Sequence, residues 1–177
     1  GILFAPHPAF AKNEKGEYVN HALAPEVIDQ LHNPMDLPQK GTRELTAEDF
    51  VYSIKRMANP RIIAPVYGTM VNYLPGLKDF AVQVRAEDKR LRADLKPSDR
   101  DLPFLDLRKF ELKGVSAPDK HTLRLEVKGK SPQFPNWLAM TFFAPVPWEA
   151  EAFYAQKGMA KNNLSLNYWP VGTGPYM

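Results

Sequence analysis

Apolar residues recur at helical spacing between Thr46 and Asn59. Phe50, Ile54, Met57 and Ala58 form one stripe, widened by Val51. Charge is ordered along the same stretch: Glu48 and Asp49 stand near its start, Lys55 and Arg56 near its end, as the helix dipole favours. Thr46 followed three residues later by Asp49 reads as a weak capping box. Pro60 stops the element and steers Asn59 out of helical geometry. The pattern predicts a short amphipathic helix with one buried face and no chemistry of its own.

Elsewhere the period changes repeatedly. Residues 1–10 begin as a short strand that Pro6 and Pro8 confine to an edge or loop. Residues 11–42 are polar and broken, and only 24–31 predicts a short helix, with Pro25 at its first position. Pro65 opens a helix faced by Val66, Tyr67, Met70, Val71 and Leu74, and Pro75–Gly76 breaks it. Leu77, Phe80, Ala81 and Val84 line the next helix, whose stripe fails at Asp88. Residues 87–101 then read as a solvated helix end running into a mobile loop, with a docking patch as the alternative.

Residues 108–128 predict a hairpin. Phe110, Leu112 and Val115 belong to its first strand and residues 117–120 to its turn. Leu123, Leu125 and Val127 alternate with polar neighbours in its second strand. A cap and short helix over 131–140, an apolar strand or turn over 142–146, a helix opened by Pro147 and ended near Gly158, and a loop over 159–168 complete the chain. The fold class expected is α+β: a small, mainly antiparallel sheet with several short helices packed on it, in a single domain over residues 1–177.

Composition narrows the function classes. The 177 residues include 17 prolines, which favour short elements and loops over a helical bundle. The absence of cysteine excludes disulfides and thiolate metal sites. A net charge of +3 with interspersed signs argues against a nucleic-acid partner. No apolar run is long enough for a membrane span, and Gly1–Phe4 lacks the basic and apolar regions of a signal peptide.

Candidate chemistry is sparse. His7, His21, His32 and His121 show no paired spacing for a helical zinc site, so surface or capping roles are expected and no metal ligand is assigned. Gly172-Thr173-Gly174 lacks the Lys and Ser/Thr of a phosphate loop and reads as a tight strand entry that uses glycine freedom. Ser53, Ser98, Ser116, Ser131 and Ser165 have no nucleophile-elbow context, and the pairs Glu48/Asp49 and Glu149/Glu151 read as helix-front charges. No catalytic or cofactor residue is assigned, and no enzyme is expected. Phe134, Trp137, Phe142, Phe143, Trp148, Phe153, Tyr154, Tyr168 and Trp169 form a dense aromatic set. It reads as core plus an interface, or alternatively as a stacking wall for a ligand.

Three phrases then point to a family. Residues 43–61, RELTAEDFVYSIKRMANPR, resemble an early segment of the family 5 extracellular solute-binding proteins, the oligopeptide- and dipeptide-binding components of ABC importers. Residues 114–127 are similar to that family's hairpin, and Trp169 to Tyr176 to its PVGTGPY phrase. The resemblance implies a periplasmic, non-catalytic receptor part, excised from a longer protein and matching the smaller extra domain beside one lobe. Its implied partners are the remaining domains of the same receptor, a peptide or small solute, and an ABC permease. It carries over no ligand-binding residue. A stand-alone protein-interaction domain is the runner-up reading, and a hydrolase a distant third.

Overall fold

The computed structural model describes residues 1–96, 98, 99 and 101–174. Pro97, Arg100 and the Pro175–Tyr176 part of the closing phrase lie outside the described residues. Among the described residues there are six α-helices: α1 (Pro25–Gln30), α2 (Ala47–Arg56), α3 (Tyr67–Tyr73), α4 (Leu77–Leu91), α5 (Phe134–Leu138) and α6 (Trp148–Tyr154). The strands β1 (Val115–Asp119) and β2 (Thr122–Leu125) form one antiparallel two-stranded sheet. The protein is thus mixed α+β, but mostly helix and coil. The expected sheet with several helices on it narrows to a single hairpin. The chain divides into two compact units, one of Gly1–Leu45, Asp94–Phe104 and Pro147–Met177, the other of Thr46–Ala93 and Leu105–Val146.

The first unit is tied by short bridges. Leu3 pairs with Glu44 and His7 with Gly41, both antiparallel. Pro6 and Pro8 each lack an N–H, so these contacts cannot extend into a continuous ladder. Gly41 is needed for closeness, because a Cβ there would collide with the Phe10 carbonyl. Phe4, Phe10, Ile28, Leu31, Phe153 and Met159 bury together as the core. Helix α6 packs on the 3-10 turn Pro8–Phe10. It stops at Tyr154, short of Gly158, because the Gln156 side-chain amide turns back and donates to the Phe153 carbonyl at 2.8 Å. Gly158 lies beyond the helix at φ 99°.

In the second unit the capping box of α2 forms as predicted, with the Thr46 N–H donating to Asp49 Oδ2 at 2.8 Å. The next orphan donor, the Ala47 N–H, is taken by the Lys120 carbonyl of the hairpin turn at 2.9 Å. The buried face is broader than the sequence stripe. Val51, Tyr52, Ser53 and Ile54 are all buried, whereas Phe50 is only half-buried. Helix α2 packs against β1, β2 and the 3-10 turns at 107–109 and 141–143, so more of its circumference is covered.

Helix α3 ends at the predicted Pro75–Gly76 break, where Gly76 takes φ 76° and a Cβ would press on Lys113. In α4, Leu77, Phe80, Ala81 and Val84 are buried as expected. The stripe does not fail at Asp88, which is buried on the same face because two arginines meet it. Residues 87–91 therefore belong to a regular helix.

The hairpin starts later than expected. Phe110 and Leu112 precede β1, separated from it by Gly114 at φ 81°. Residues 107–109 form a 3-10 turn capped by the Asp106 side chain. Pairing runs Val115 to Leu125 and Ser116 to Arg124, then becomes irregular before Asp119 meets Thr122. The irregularity falls at Ala117–Pro118, where proline has no donor to offer. Leu123, Leu125 and Val127 are half-buried and their neighbours exposed, as the alternation predicts.

Candidate functional site

The first unit holds three linked groups of polar and aromatic side chains. Glu149 sits in the first turn of α6, where its charge suits the helix dipole. That is the helix-front place expected from the sequence, and the residue is in addition only 2% exposed. Its burial is compensated by a forked pair with Arg43: Nε donates to Oε1 at 2.6 Å and Nη2 to Oε2 at 2.8 Å. The Tyr18 hydroxyl donates to Oε1 at 3.0 Å. The guanidinium also lies 5.1 Å from the ring centroid of Phe4 and 5.5 Å from that of Phe10. Arg43 is thus locked on both its edge and its face.

His7 is buried against α6. Its Nδ1 accepts the Ala9 N–H at 3.1 Å, so Nδ1 carries no proton. The proton is then on Nε2, which donates to the Tyr154 hydroxyl at 3.1 Å. That hydroxyl in turn donates to the Trp169 carbonyl at 3.0 Å. Burial drives the His7 pKa down to about 4 and pushes that of Tyr154 well above its ordinary value. Both groups stay neutral around neutral pH. The relay ties the approach to the Gly172 segment onto the core, and the Ala5 N–H to Gly172 carbonyl bond at 2.8 Å continues the tie. Gly172 does not take a positive φ, so the expected use of glycine freedom at this position is corrected.

A third group is aromatic. Tyr18 and His21 stack with centroids 4.5 Å apart and planes 13° apart. Trp148 meets both edge-on, at 5.5 and 6.1 Å. Lys12 Nζ lies 4.5 Å from the Tyr18 ring centroid. The His21 Nε2 to Ala9 carbonyl bond of 2.9 Å makes Nε2 the protonated nitrogen. All three rings are half-buried, so they combine fixed orientation with a solvent-facing edge.

The aromatic set is divided between the units. Phe153 and Tyr154 are core; Trp169 packs partly on that core, and Tyr168 is exposed. In the second unit Phe134 packs on Tyr73 and Phe143 on Phe142, with Trp137 beyond. The candidate nucleophile Ser53 spends its hydroxyl on the Ala144 carbonyl at 2.6 Å. Among the described residues no group of His, Asp and Glu could hold a metal ion. The arrangement offers a half-buried stacking surface beside charges that are already paired.

Residues 40–177 match the family described as bacterial extracellular solute-binding proteins, family 5 Middle. The chain belongs to the family 5 solute-binding proteins. No curated protein and no solved structure matches it significantly. The family is non-catalytic and provides the substrate-binding part of ABC importers, so a solute and an ABC transporter are this solute-binding protein's general partners. Among the described residues no helix is long and apolar enough to cross a membrane. The pairing at its polar centre escaped the sequence reading. Arg43 opens the family phrase, but its partner Glu149 lies 106 residues away, and no local pattern joins them.

Proposed function

We propose that this chain is part of a periplasmic receptor that captures oligopeptides or similar solutes and hands them to an ABC permease. The observation that carries the reading is the family match over residues 40–177, which takes in the capped helix α2, the hairpin and the Gly172 segment. The solute itself is held elsewhere in the whole receptor. A cleft that encloses a solute needs two closing walls. An open half-site leaves a ligand largely solvated, and its apolar burial then fails to offset at least about 4 kcal/mol of lost translational and rotational freedom. The half-buried Phe142, Trp148 and Trp169 fit surfaces that the remaining domains of the receptor cover.

Uptake measures this directly. Cells lacking the gene should accumulate a labelled pool of short peptides more slowly, and restoring the gene should restore uptake. Unchanged uptake of peptides and of other small solutes would contradict the proposal.

A further inference from the structure

The second unit presents a turn of apolar side chains that the solute-binding reading does not use. Leu138, at the end of α5, is 40% exposed, and Met140 just beyond it 48%. Trp137 beside them is half-buried and held by an aromatic row. Its ring centroid lies 6.3 Å from that of Phe142, which in turn lies 5.3 Å from that of the buried Phe143. The backbone here is satisfied from within. The Ala139 N–H donates to the Asn136 carbonyl at 3.4 Å, that of Met140 to Trp137 at 3.0 Å and that of Phe143 to Met140 at 3.0 Å. The exposed side chains therefore stand on a turn that can leave water without stranding these amides.

Charge along these stretches has one sign. Residues 127–148 contain Lys128 and Lys130 but no Asp or Glu, and residues 60–78 contain no Asp or Glu either. The two stretches meet. The Lys128 N–H donates to the Tyr73 carbonyl at 2.8 Å, and the Tyr73 ring centroid lies 5.8 Å from that of Phe134 at the start of α5. Lys128 and Lys130 are exposed and make no ion pair among the described residues. The preceding acid, Glu126, is paired with Arg124 at 3.5 Å. The polar side chains on and beside the turn, Gln133, Asn136 and Thr141, are uncharged. A solute-binding protein of an ABC importer serves a partner embedded in a bilayer. We propose that this turn rests on an anionic bilayer surface. Trp137, Leu138 and Met140 enter the interfacial layer, and Lys128 and Lys130 meet lipid phosphates. A bilayer offers both at once, acyl chains below and phosphates above.

Co-sedimentation of the 177-residue chain with vesicles tests this. The vesicles are phosphatidylcholine mixed with phosphatidylglycerol, and phosphatidylcholine alone. Saturable binding to the mixed vesicles is expected, with binding to phosphatidylcholine alone at least about fivefold weaker. Leu138→Ser with Met140→Ser should weaken binding to the mixed vesicles at least about fivefold, through lost apolar burial. Lys128→Glu with Lys130→Glu should weaken it at least about tenfold. Lys15→Glu with Lys40→Glu makes the same change in net charge with exposed lysines of the first unit, and at physiological salt should cost less than about twofold. No binding to the mixed vesicles, equal binding to both vesicles, no loss in the serine variant, or equal losses in the two charge variants would each overturn the proposal. So would vesicle binding that is absent while binding to the permease in detergent requires Leu138 and Met140, which would give the face to a protein. Circular dichroism of each variant reports on folding at the same time. No solute takes part, so failure here would leave the uptake reading standing.

Discussion

Glu149 and Asp88 are both carboxylates sunk among apolar residues, and both are held by arginine, but they are held differently. Glu149 is gripped by the two-pronged Arg43 and by Tyr18, all in the first unit. Arg43 comes from the far end of the sequence, so the pair fastens the segment before α2 to the front of α6. Asp88 instead takes Arg61 Nε at 2.6 Å from the loop after α2 and Arg92 Nε at 3.0 Å from the cap residue that ends its own helix. Burial opposes ionisation of Asp88, but hydrogen bonds and charge from the two arginines outweigh it and hold the carboxyl below its usual range. One carboxylate depends on a single cation for most of its compensation. The other shares two, of which Arg92 is 42% exposed and Arg61 only 14%. The same chemistry serves as a pin in one unit and as a distributor of charge at the edge of the other.

The largest expected effect tests the pin. Glu149→Ala leaves Arg43 without its counter-charge and should destabilise the chain by about 3–5 kcal/mol in urea melts. Asp88→Asn keeps part of the hydrogen bonding and should cost about 1–3 kcal/mol. Equal losses would break the comparison. Ile54→Ala, in the fully covered face of α2, should cost about 2–5 kcal/mol, and a loss below about 1 kcal/mol would show that this face collapses around the gap.

Acid sharpens the contrast next. Folding holds His7 at a pKa of about 4 against 6.5 for the free group, so the unfolded chain binds more protons between those values. Stability from this site is complete above pH 6.5 and falls by about 3 kcal/mol as pH drops to about 4, at roughly 1.36 kcal/mol per unit. Asp88 acts lower: its contribution is present above the free value of 3.8 and is lost as pH falls through its depressed folded pKa. Melts of His7→Gln should lose the first phase and keep the second. A profile identical to the parent would remove His7 from the account. The smallest effect concerns Arg92, whose removal as Arg92→Ala should cost under about 1 kcal/mol because it is partly solvated and Arg61 remains. A loss matching that of Asp88→Asn would show that Arg61 alone cannot hold the carboxylate.

Helices were readable wherever a local period met local punctuation. Thr46, Asp49 and Pro60 bound α2, Pro25 opens α1, and Pro75–Gly76 separates α3 from α4. The second strand was readable because one face is half-buried and the other exposed. What stayed hidden depends on distant partners. Asp88 looked like the end of a buried stripe because Arg61, which permits its burial, comes from another element. His7 was expected at the surface or in a cap; it does cap its turn, but Tyr154 and Phe153 also bury it. Lys55 read only as a charge near the end of α2, yet its Nζ lies 5.9 Å from the Phe80 ring centroid and the residue is half-buried. The first strand of the hairpin was placed too early because Phe110 and Leu112 are apolar, although Gly114 and a 3-10 turn keep them out of the ladder. In the candidate site, stacking of Tyr18, His21 and Trp148 joins residues from opposite ends of the chain, which no spacing rule could connect.

We propose that this chain serves solute binding as a part of a longer receptor and does not grip a solute by itself. Calorimetric titration of a mixed peptide pool into the 177-residue chain and into the full-length receptor tests it most directly. The account predicts saturable heat from the full-length receptor and none from the chain alone. Micromolar or tighter binding by the chain alone would contradict it, and would make the aromatic platform of Tyr18, His21 and Trp148 the first place to look for the ligand.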